Sequence, residues 1–274
     1  NMTSVISNVY ILKIIQRFHN IKSFKCHSKL STSELLRFLD IVKGSVTDFE
    51  TRDSHVDFSK LFRVLQLPLL RRFSFTDTHK MIEDVDIRSI VYSCKNITYL
   101  DLSNVPSINN VLIKMAIEGL PFLETFILLK NIAVNNEIFI YLANGCQHLK
   151  HLEIGGQPTE FNNNITFEGI EGLTHIKAKL RRIKFQYCSK IGDLSIQTIA
   201  AHFGPHLEEF SVIRNYFEKV AKISDDALKA FKECPNLKKL EIVYTRKFDA
   251  NIADYISKYF ANLRILNLSG CPIQ

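Results

Sequence analysis

The chain has 274 residues, 46% of them hydrophobic and only seven of them prolines, a composition that argues against linker-like or low-complexity segments. No apolar run approaches the roughly 18 residues that span a bilayer, so the sequence predicts no transmembrane helix. A formal net charge of +7 with a pI near 9.0 raises the question of nucleic-acid binding.

The first predicted element is an amphipathic helix at 5–18. Its apolar residues are interrupted by Asn8, Lys13, Gln16 and Arg17. Such a pattern suits a helix that packs on the first strand better than a membrane anchor or a secretion signal.

A short phrase then recurs ten times along the chain. Its most complete copy is CPNLKKLEIVY at 234–244, with apolar residues at Leu237, Leu240 and Ile242. The first apolar residues of the ten copies are Ile21, Val46, Leu70, Ile97, Leu123, Leu149, Leu180, Leu207, Leu237 and Leu263. Nine steps separate the first of these from the last, so the mean period is about 27 residues.

Within each copy the apolar residues alternate. One recurs three positions after the first, and another stands two positions further on in every copy except the second, which has Thr51. Alternation at period 2 predicts a short strand with one buried face. Ten repetitions of the pattern therefore predict ten short strands.

Between the strands the apolar residues fall at helical spacing. The sequence predicts helices after Asp193 and Asp226, and also at 33–42, 58–65, 86–92, 109–118, 137–144 and 251–260. Several begin with Asp, Ser or Asn at a plausible N-cap. Each repeat therefore reads as strand, loop and helix.

These units predict one α/β solenoid over residues 1–274, shaped as a horseshoe or arc. Neither a single strand nor a single helix can bury its apolar side alone, so neighbouring repeats must stack. Parallel strands are expected on the concave face and helices on the convex face. The unbroken repeat overrides the two domains that the length alone would suggest.

The six cysteines all have structural positions in the repeat. Cys94, Cys146 and Cys234 lie three residues before a strand's first apolar residue, Cys188 and Cys271 lie eight after it, and Cys26 is a strand core residue. We expect six buried, reduced thiols, and hence a reducing compartment, cytoplasmic or nuclear.

The nearest approach to a metal site in the sequence is Cys146 with His148 and His151. Cys146 is expected in the core and His151 on the outer side of its strand, so the three side chains diverge. We therefore expect no metal and no cofactor.

The pattern CxxLxxLxL occurs at Cys234 and Cys146 and, with Ile as the first apolar residue, at Cys94. In other copies a thiol follows the strand, at Cys188 and Cys271. This combination resembles the cysteine-containing leucine-rich repeats of F-box/leucine-rich-repeat proteins. The mean period also lies within the range of leucine-rich repeats. This resemblance implies that the arc selects substrates for a cullin-based ubiquitin ligase. A separate F-box would then bind the ligase adaptor.

The F-box itself is not found in this sequence. Leu67-Pro68 and Leu120-Pro121 are similar to the leucine-proline opening of that motif, but both are in register with the repeats at helix-to-strand junctions. We interpret the chain as part of a longer one, with any F-box before residue 1. The same repeats also occur in intracellular scaffolds, so a structural subunit of a stable complex is the alternative.

No motif points to an enzyme. Glycine-rich phosphate loops, HExxH, GxSxG and CxxC are all missing from the sequence. The acidic pairs Asp225-Asp226 and Glu208-Glu209 fall at a helix start and on a strand, which explains them as solvated residues. We expect no catalytic residue.

The concave face is the candidate binding surface. Its variable residues are of mixed sign, which makes nucleic acid an unlikely ligand. Ile127 and Leu129 should face this side beside Tyr99, forming an apolar cluster that anchors a protein partner unless a loop covers it.

A second candidate group consists of Arg182, Lys184, Tyr187, Arg214 and Tyr244. It would suit an acidic peptide or a C-terminal carboxylate. The two longer connections, at 155–164 and 215–222, are expected to emerge from one face or to be disordered.

Sequons at Asn1, Asn96, Asn164 and Asn267 leave open an extracellular receptor. The structural positions of the six thiols and the lack of cysteine-rich caps argue against it.

Overall fold

A computed structural model describes residues 20–26, 31–52, 56–78, 81–160, 162, 164–214, 223–244, 248–249 and 251–271. The predicted helix at 5–18 and the connection at 215–222 lie outside these ranges. In the described part of the chain, the helices are too short or too polar to cross a membrane.

Ten strands form one parallel sheet in which each strand pairs with the next in sequence. They are β1 (Ser23–Cys26), β2 (Asp48–Arg52), β3 (Arg72–Thr76), β4 (Tyr99–Asp101), β5 (Thr125–Leu128), β6 (His151–Gly155), β7 (Arg182–Gln186), β8 (Glu209–Ile213), β9 (Lys239–Val243) and β10 (Ile265–Asn267). The ten strands predicted from the alternation are confirmed.

A helix follows each of the first nine strands. Over the described residues these are α1 (Thr32–Val42), α2 (Phe58–Val64), α3 (Asp84–Ser93), α4 (Asn110–Gly119), α5 (Glu137–Gly145), α6 (Phe167–Leu173), α7 (Asp193–Phe203), α8 (Asp225–Ala230) and α9 (Ile252–Tyr259). Seven of the eight individually predicted helices are confirmed to within about two residues at each end. The eighth, predicted after Asp226, ends as an α-helix at Ala230 and continues as a 3-10 turn at Phe231–Glu233. The helix α6, which contains two glycines, is not among the individually predicted helices.

The strand register aligns the second apolar residue of every repeat. Phe49, for example, stands between Phe24 on β1 and Phe73 on β3, and the same row continues to Leu266 on β10. These residues are buried along the sheet; at its two ends Phe24 is partly accessible and Leu266 is 43% exposed. The repeats thus stack into one continuous core.

Stacking one strand and one helix per repeat curves the array. Neighbouring strands lie about 4.8 Å apart, whereas packed helices need roughly 8–10 Å. The sheet therefore takes the shorter, concave side and the helices take the longer, convex side. The fold is a leucine-rich-repeat solenoid, as the sequence predicts.

Several helices begin with an N-cap side chain at the position that the sequence predicts. Ser31 forms a capping box with Glu34 at α1, and Asp57 and Ser224 each accept a backbone N–H at α2 and α8. Asn109 accepts two N–H groups at α4. These oxygens satisfy donors that the first helical turn leaves without partners.

The connection at 155–164 is anchored at its far end by Asn162, which is fully buried. Its side-chain amide donates to the carbonyls of Asn131 and Val134 at 3.1 and 3.0 Å, and its carbonyl accepts from the N–H groups of Asn164 and Ile165. One side chain thus ties this connection to the preceding repeat.

Three cysteines end helices or helical turns, as predicted. Cys94, Cys146 and Cys234 occupy C-cap positions, and burial raises the pKa of each thiol to about 12. None of the six cysteines, all of which are described, forms a disulfide. Cys271 differs from the prediction: it is only partly buried, because it lies beyond the last strand of the sheet.

These environments predict the order in which the thiols react. Only thiolate is nucleophilic, and a raised pKa keeps a thiol protonated at pH 8. We expect iodoacetamide to label Cys271 of the native protein well before Cys94 or Cys146, and all six cysteines after unfolding. Peptide mass spectrometry measures each site, and rapid native labelling of Cys94 would contradict the packing described.

Candidate partner-binding surface

Two rows of side chains run along the concave face. The first row contains the residue before the aligned core position: Ser23, Asp48, Arg72, Tyr99, Thr125, His151, Arg182, Glu209, Lys239 and Ile265. The second row contains the residue after it: Lys25, Glu50, Ser74, Asp101, Ile127, Glu153, Lys184, Ser211, Glu241 and Asn267. Both rows alternate with core residues, so they point away from the core.

Ion pairs between adjacent strands neutralise much of this face. They are Lys25–Glu50 (2.8 Å), Arg72–Asp48 (3.2 Å), Lys184–Glu153 (3.3 Å) and Arg182–Glu209 (3.2 Å), and Arg52–Glu50 (3.2 Å) and Lys239–Glu241 (2.8 Å) pair within single strands. His151 is hydrogen-bonded to Glu153 at 2.8 Å. The mixed sign expected from the sequence is thus organised into pairs. No single-sign stripe of the kind that follows a phosphate backbone is formed by these two rows.

Tyr99 lies at the centre of a stacked arrangement in the first row. The guanidinium carbon of Arg72 stands 3.7 Å from the centre of the Tyr99 ring, and the same guanidinium pairs with Asp48. Burial, reinforced by the negative charge of Asp101, raises the pKa of the Tyr99 hydroxyl to about 12. The ring is therefore held in place on a half-buried part of the face.

Ile127 and Leu129 are half-buried rather than fully exposed. In the sheet register Ile127 lies between Asp101 on β4 and Glu153 on β6, and the backbone N–H of Leu129 donates to the Ser103 hydroxyl at 3.0 Å. Ile127 is thus a partly accessible apolar side chain with a carboxylate on each side of it in the register. Tyr99 belongs to the strand next to Ile127, as the sequence implies.

In the second candidate group, Arg182 and Lys184 lie together on β7, and both are already engaged in ion pairs. Arg182 is exposed and pairs with Glu209, and Lys184 is half-buried and pairs with Glu153. Tyr187 and Tyr244 both adopt a positive φ, of 53° and 57°, just after their strands. A positive φ ends the strand alternation, so the sequence pattern does not fix where these two rings point.

Arg214 is a correction to that group. It is 3% exposed, and its guanidinium donates to the carbonyl oxygen of Ile191. It stands two positions after Val212 and four after Phe210, both core residues, so the alternation carries it to the buried side. Arg214 is therefore a structural residue and does not line the concave surface.

Two carboxylates beside Ile127 differ in their electrostatic environments. Burial raises the pKa of the Asp101 carboxyl, since the hydrogen bonds from the Ser103 N–H and hydroxyl offset only part of the desolvation. Burial alone would raise the pKa of Glu153 too, but the His151 hydrogen bond and the Lys184 ammonium hold it below its usual range. Of the two carboxylates, Asp101 is thus the one whose loss of hydration is only partly offset by hydrogen bonds and nearby cations.

This difference predicts opposite effects of neutralisation. Ionised Glu153 stabilises the fold at pH values above its ordinary pKa, and this contribution disappears as the pH falls through its lowered pKa in the folded protein. Ionised Asp101, by contrast, lowers the stability of the fold once the pH rises past 3.8, the ordinary pKa of an aspartate. At pH 7, Glu153→Gln should lower the unfolding free energy by about 1 to 2 kcal/mol. Asp101→Asn should leave it unchanged or raise it.

Thermal melting at pH 7 and pH 3 checks this. The two variants should differ in melting temperature at pH 7, and their difference should be smaller at pH 3, since Asp101 is then below its raised pKa and the stabilisation by ionised Glu153 decreases below its ordinary pKa. Equal destabilisation by the two substitutions at pH 7 would contradict the environments described.

One feature of the face escaped the sequence analysis. Ser74, on β3, has a smaller side chain than its second-row neighbours Glu50 and Asp101, and it lines a depression of about 130 Å³ that extends over β1 to β4. Its lining includes Glu50, Arg72, Tyr99 and Asp101. A serine at a second-row position can be recognised in the sequence, but whether it leaves a depression depends on the side chains of the neighbouring strands.

The described residues do not assemble a metal site from Cys146, His148 and His151. Cys146 is buried, His148 is exposed and His151 bonds to Glu153. No group of three or more potential ligands from His, Cys, Asp and Glu occurs in the part of the chain that the structure describes.

Comparison with known proteins gives matches in structure only. No protein-family model matches the sequence, and no curated protein matches it. The fold is similar to a chain in the crystal structure of the Rad7 and Elc1 complex from yeast, with a TM-score of 0.68 and 15% identity over 96% of this chain and 74% of that one.

The fold is also similar to an internalin (inlF) from Listeria monocytogenes, with a TM-score of 0.53 and 15% identity over 92% of this chain and 62% of that one. At this level of identity the two likenesses concern the fold. They agree with the leucine-rich-repeat architecture built up from the register above.

Proposed function

We propose that the chain is a non-enzymatic protein-recognition module that binds a protein partner on its concave face. The observation that carries this proposal is the centre of that face, where half-buried Ile127 stands on β5, the strand next to the one that holds the fixed ring of Tyr99, with half-buried Leu129 just after β5. Accessible apolar and aromatic side chains surrounded by paired charges are typical of a protein-binding surface, because the apolar part supplies affinity and the charges supply specificity.

More specifically, we propose the substrate-selecting region of an F-box-type ubiquitin ligase subunit acting in the cytoplasm or nucleus. Support comes from the CxxLxxLxL copies, whose cysteines occupy helix C-caps in the same way at Cys94, Cys146 and Cys234. The likeness to a chain of the Rad7 and Elc1 complex, a protein solved together with a second protein, is consistent with a role in an assembly.

The recognition surface is tested by removing its apolar side chains without adding charge. Ile127→Thr combined with Leu129→Thr keeps neutral side chains at both positions. Aspartate at 127 would be a poorer choice, because it would place a third carboxylate between Asp101 and Glu153. The matched control is Val111→Thr with Ile140→Thr, two helix residues that are 66% and 53% exposed.

Partners that copurify with the full-length protein from its own cells are quantified by mass spectrometry for the three proteins. We expect the concave variant to lose at least one partner about tenfold or more, and the helix variant to retain it. Circular dichroism melting verifies that each variant is folded. Equal capture by all three proteins would place the binding surface elsewhere.

The same purification tests the ligase assignment. A cullin adaptor should copurify with the full-length protein, and its amount should not depend on Ile127 or Leu129, since adaptor binding belongs to a separate F-box. Stable neighbours without any adaptor or cullin would favour the alternative, a structural scaffold.

A further inference from the structure

The depression at Ser74 has a definite shape and charge. Ser74, 9% exposed, is one of its lining residues and stands in register between Glu50 on β2 and Asp101 on β4. The stacked pair of Arg72 and Tyr99 borders it on the first-row side. We call this depression, of about 130 Å³, the Ser74 notch. A volume this size exceeds the roughly 10–15 Å³ that one water molecule requires, so a side-chain head group has room to enter.

The two acidic walls of the notch are not equivalent. Glu50 already has two cationic neighbours, Lys25 at 2.8 Å and Arg52 at 3.2 Å. Asp101 forms no ion pair within the described ranges; its bonds come from the N–H and the hydroxyl of Ser103, at 3.0 and 2.7 Å. The notch therefore offers one carboxylate that lacks a counter-ion.

The residues around Asp101 leave it without a counter-ion. Its neighbours in register are Ser74 and Ile127, neither of which carries charge. The next cation along the second row, Lys184, is engaged with Glu153. Arg52 attracts Asp101 electrostatically but bonds to Glu50. A half-buried carboxylate with such neighbours gains from any cation that reaches it, because desolvation has weakened its interaction with water.

We propose that the Ser74 notch receives an arginine or lysine side chain of the protein partner, with its charged head against Asp101 and its aliphatic stem along Ile127. The inference rests on the proposed recognition function and specifies the partner's chemistry at that face. Long basic side chains suit this place because they bury their methylenes on apolar surface while the head meets a carboxylate. An acidic segment would be repelled by Glu50, Asp101 and Glu153, which all lie in the second row.

The test uses random peptides displayed on phage, selected separately on the wild type, on Asp101→Asn and on Glu241→Gln. Asparagine keeps the oxygen that accepts from Ser103 and removes only the charge. Glu241 is the matched control: it lies in the same row on β9 and is already paired with Lys239 at 2.8 Å and bonded to the Ser211 hydroxyl at 2.8 Å. Neutralising it alters the overall charge of the face equally.

Peptides enriched on the wild type should share an arginine or lysine at one position. A synthetic copy of the best peptide should bind Asp101→Asn about tenfold more weakly, and Glu241→Gln within about twofold. With that basic residue replaced by norleucine, the peptide should no longer distinguish Asp101→Asn from the wild type, since the two changes remove the same interaction.

A second variant, Ile127→Lys, keeps the test decisive if Asp101→Asn folds poorly. A lysine between Asp101 and Glu153 supplies the missing cation from within the chain and should reduce peptide binding similarly. Wild-type peptides without a common basic residue, or acidic peptides indifferent to Asp101, would overturn this inference while leaving the recognition function in place. Failure to select any peptide that Ile127→Thr with Leu129→Thr weakens would overturn both.

Discussion

Phe73→Ala is expected to lower the free energy of unfolding by about 3 to 5 kcal/mol. Phe73 is completely buried at the aligned core position of β3. Its ring centre lies 5.7 Å from those of Phe49 and Phe58 and 6.0 Å from that of Phe62. Truncation would leave a cavity bordered by three aromatic rings of the preceding repeat and remove the edge-to-face contacts with Phe58 and Phe62.

The matched control is Phe122→Ala. Phe122 is 49% exposed in the turn before β5, so the same truncation there should cost less than about 1 kcal/mol. Urea denaturation followed by circular dichroism measures both variants. Equal midpoints for the two alanine variants would contradict the strand register, because that register is what separates the buried phenylalanine from the exposed one.

Gly155→Ala should be the second most destabilising change, at about 3 kcal/mol. A Cβ atom at Gly155 would lie 2.1 Å from the backbone carbonyl oxygen of Gln186 on the adjacent strand. That oxygen accepts the N–H of Gly156 at 2.9 Å, so it cannot move away without breaking a bond between β6 and β7. The two central strands would have to separate at this point.

Gly44→Ala provides the control for the loss of a glycine. No atom lies within 4 Å of a Cβ built at Gly44, so alanine should fit there and stabilise the protein slightly by restricting the unfolded chain. The two alanine substitutions should thus act with opposite sign in the same denaturation assay. An undestabilised Gly155→Ala variant would contradict the close approach at Gly155, and destabilisation by Gly44→Ala would contradict the open space at Gly44.

The repeat architecture was predictable because its signal is local and repeated. Alternation around Leu240 and helical spacing around Ile196 each follow from which side chains must be buried, and ten copies remove the ambiguity of a single one. The helix at 167–173 escaped individual prediction because Gly169 and Gly172 weaken its helical preference. There, packing between the neighbouring repeats overrides propensity.

The composition of the candidate surface was predictable, but its energetics were not. Strand alternation correctly indicates that Ile127 points away from the core, and the same alternation, extended past Val212, places Arg214 in the interior. Which carboxylate lacks a counter-ion depends on contacts between residues about 25 positions apart, such as Lys25 with Glu50. The exceptional position of Asp101 therefore became visible only in the folded sheet.

The most direct measurement of the central claim is site-specific photo-crosslinking from the two faces of the arc. Benzoylphenylalanine replaces Tyr99 on the concave face in one protein, and Tyr92, 70% exposed on α3, in another. Both replacements exchange one aromatic side chain for a larger one, so the faces are compared with similar probes. We expect position 99 to crosslink one discrete partner protein in cells and position 92 not to do so. Crosslinking of that partner from position 92 alone would contradict concave-face recognition.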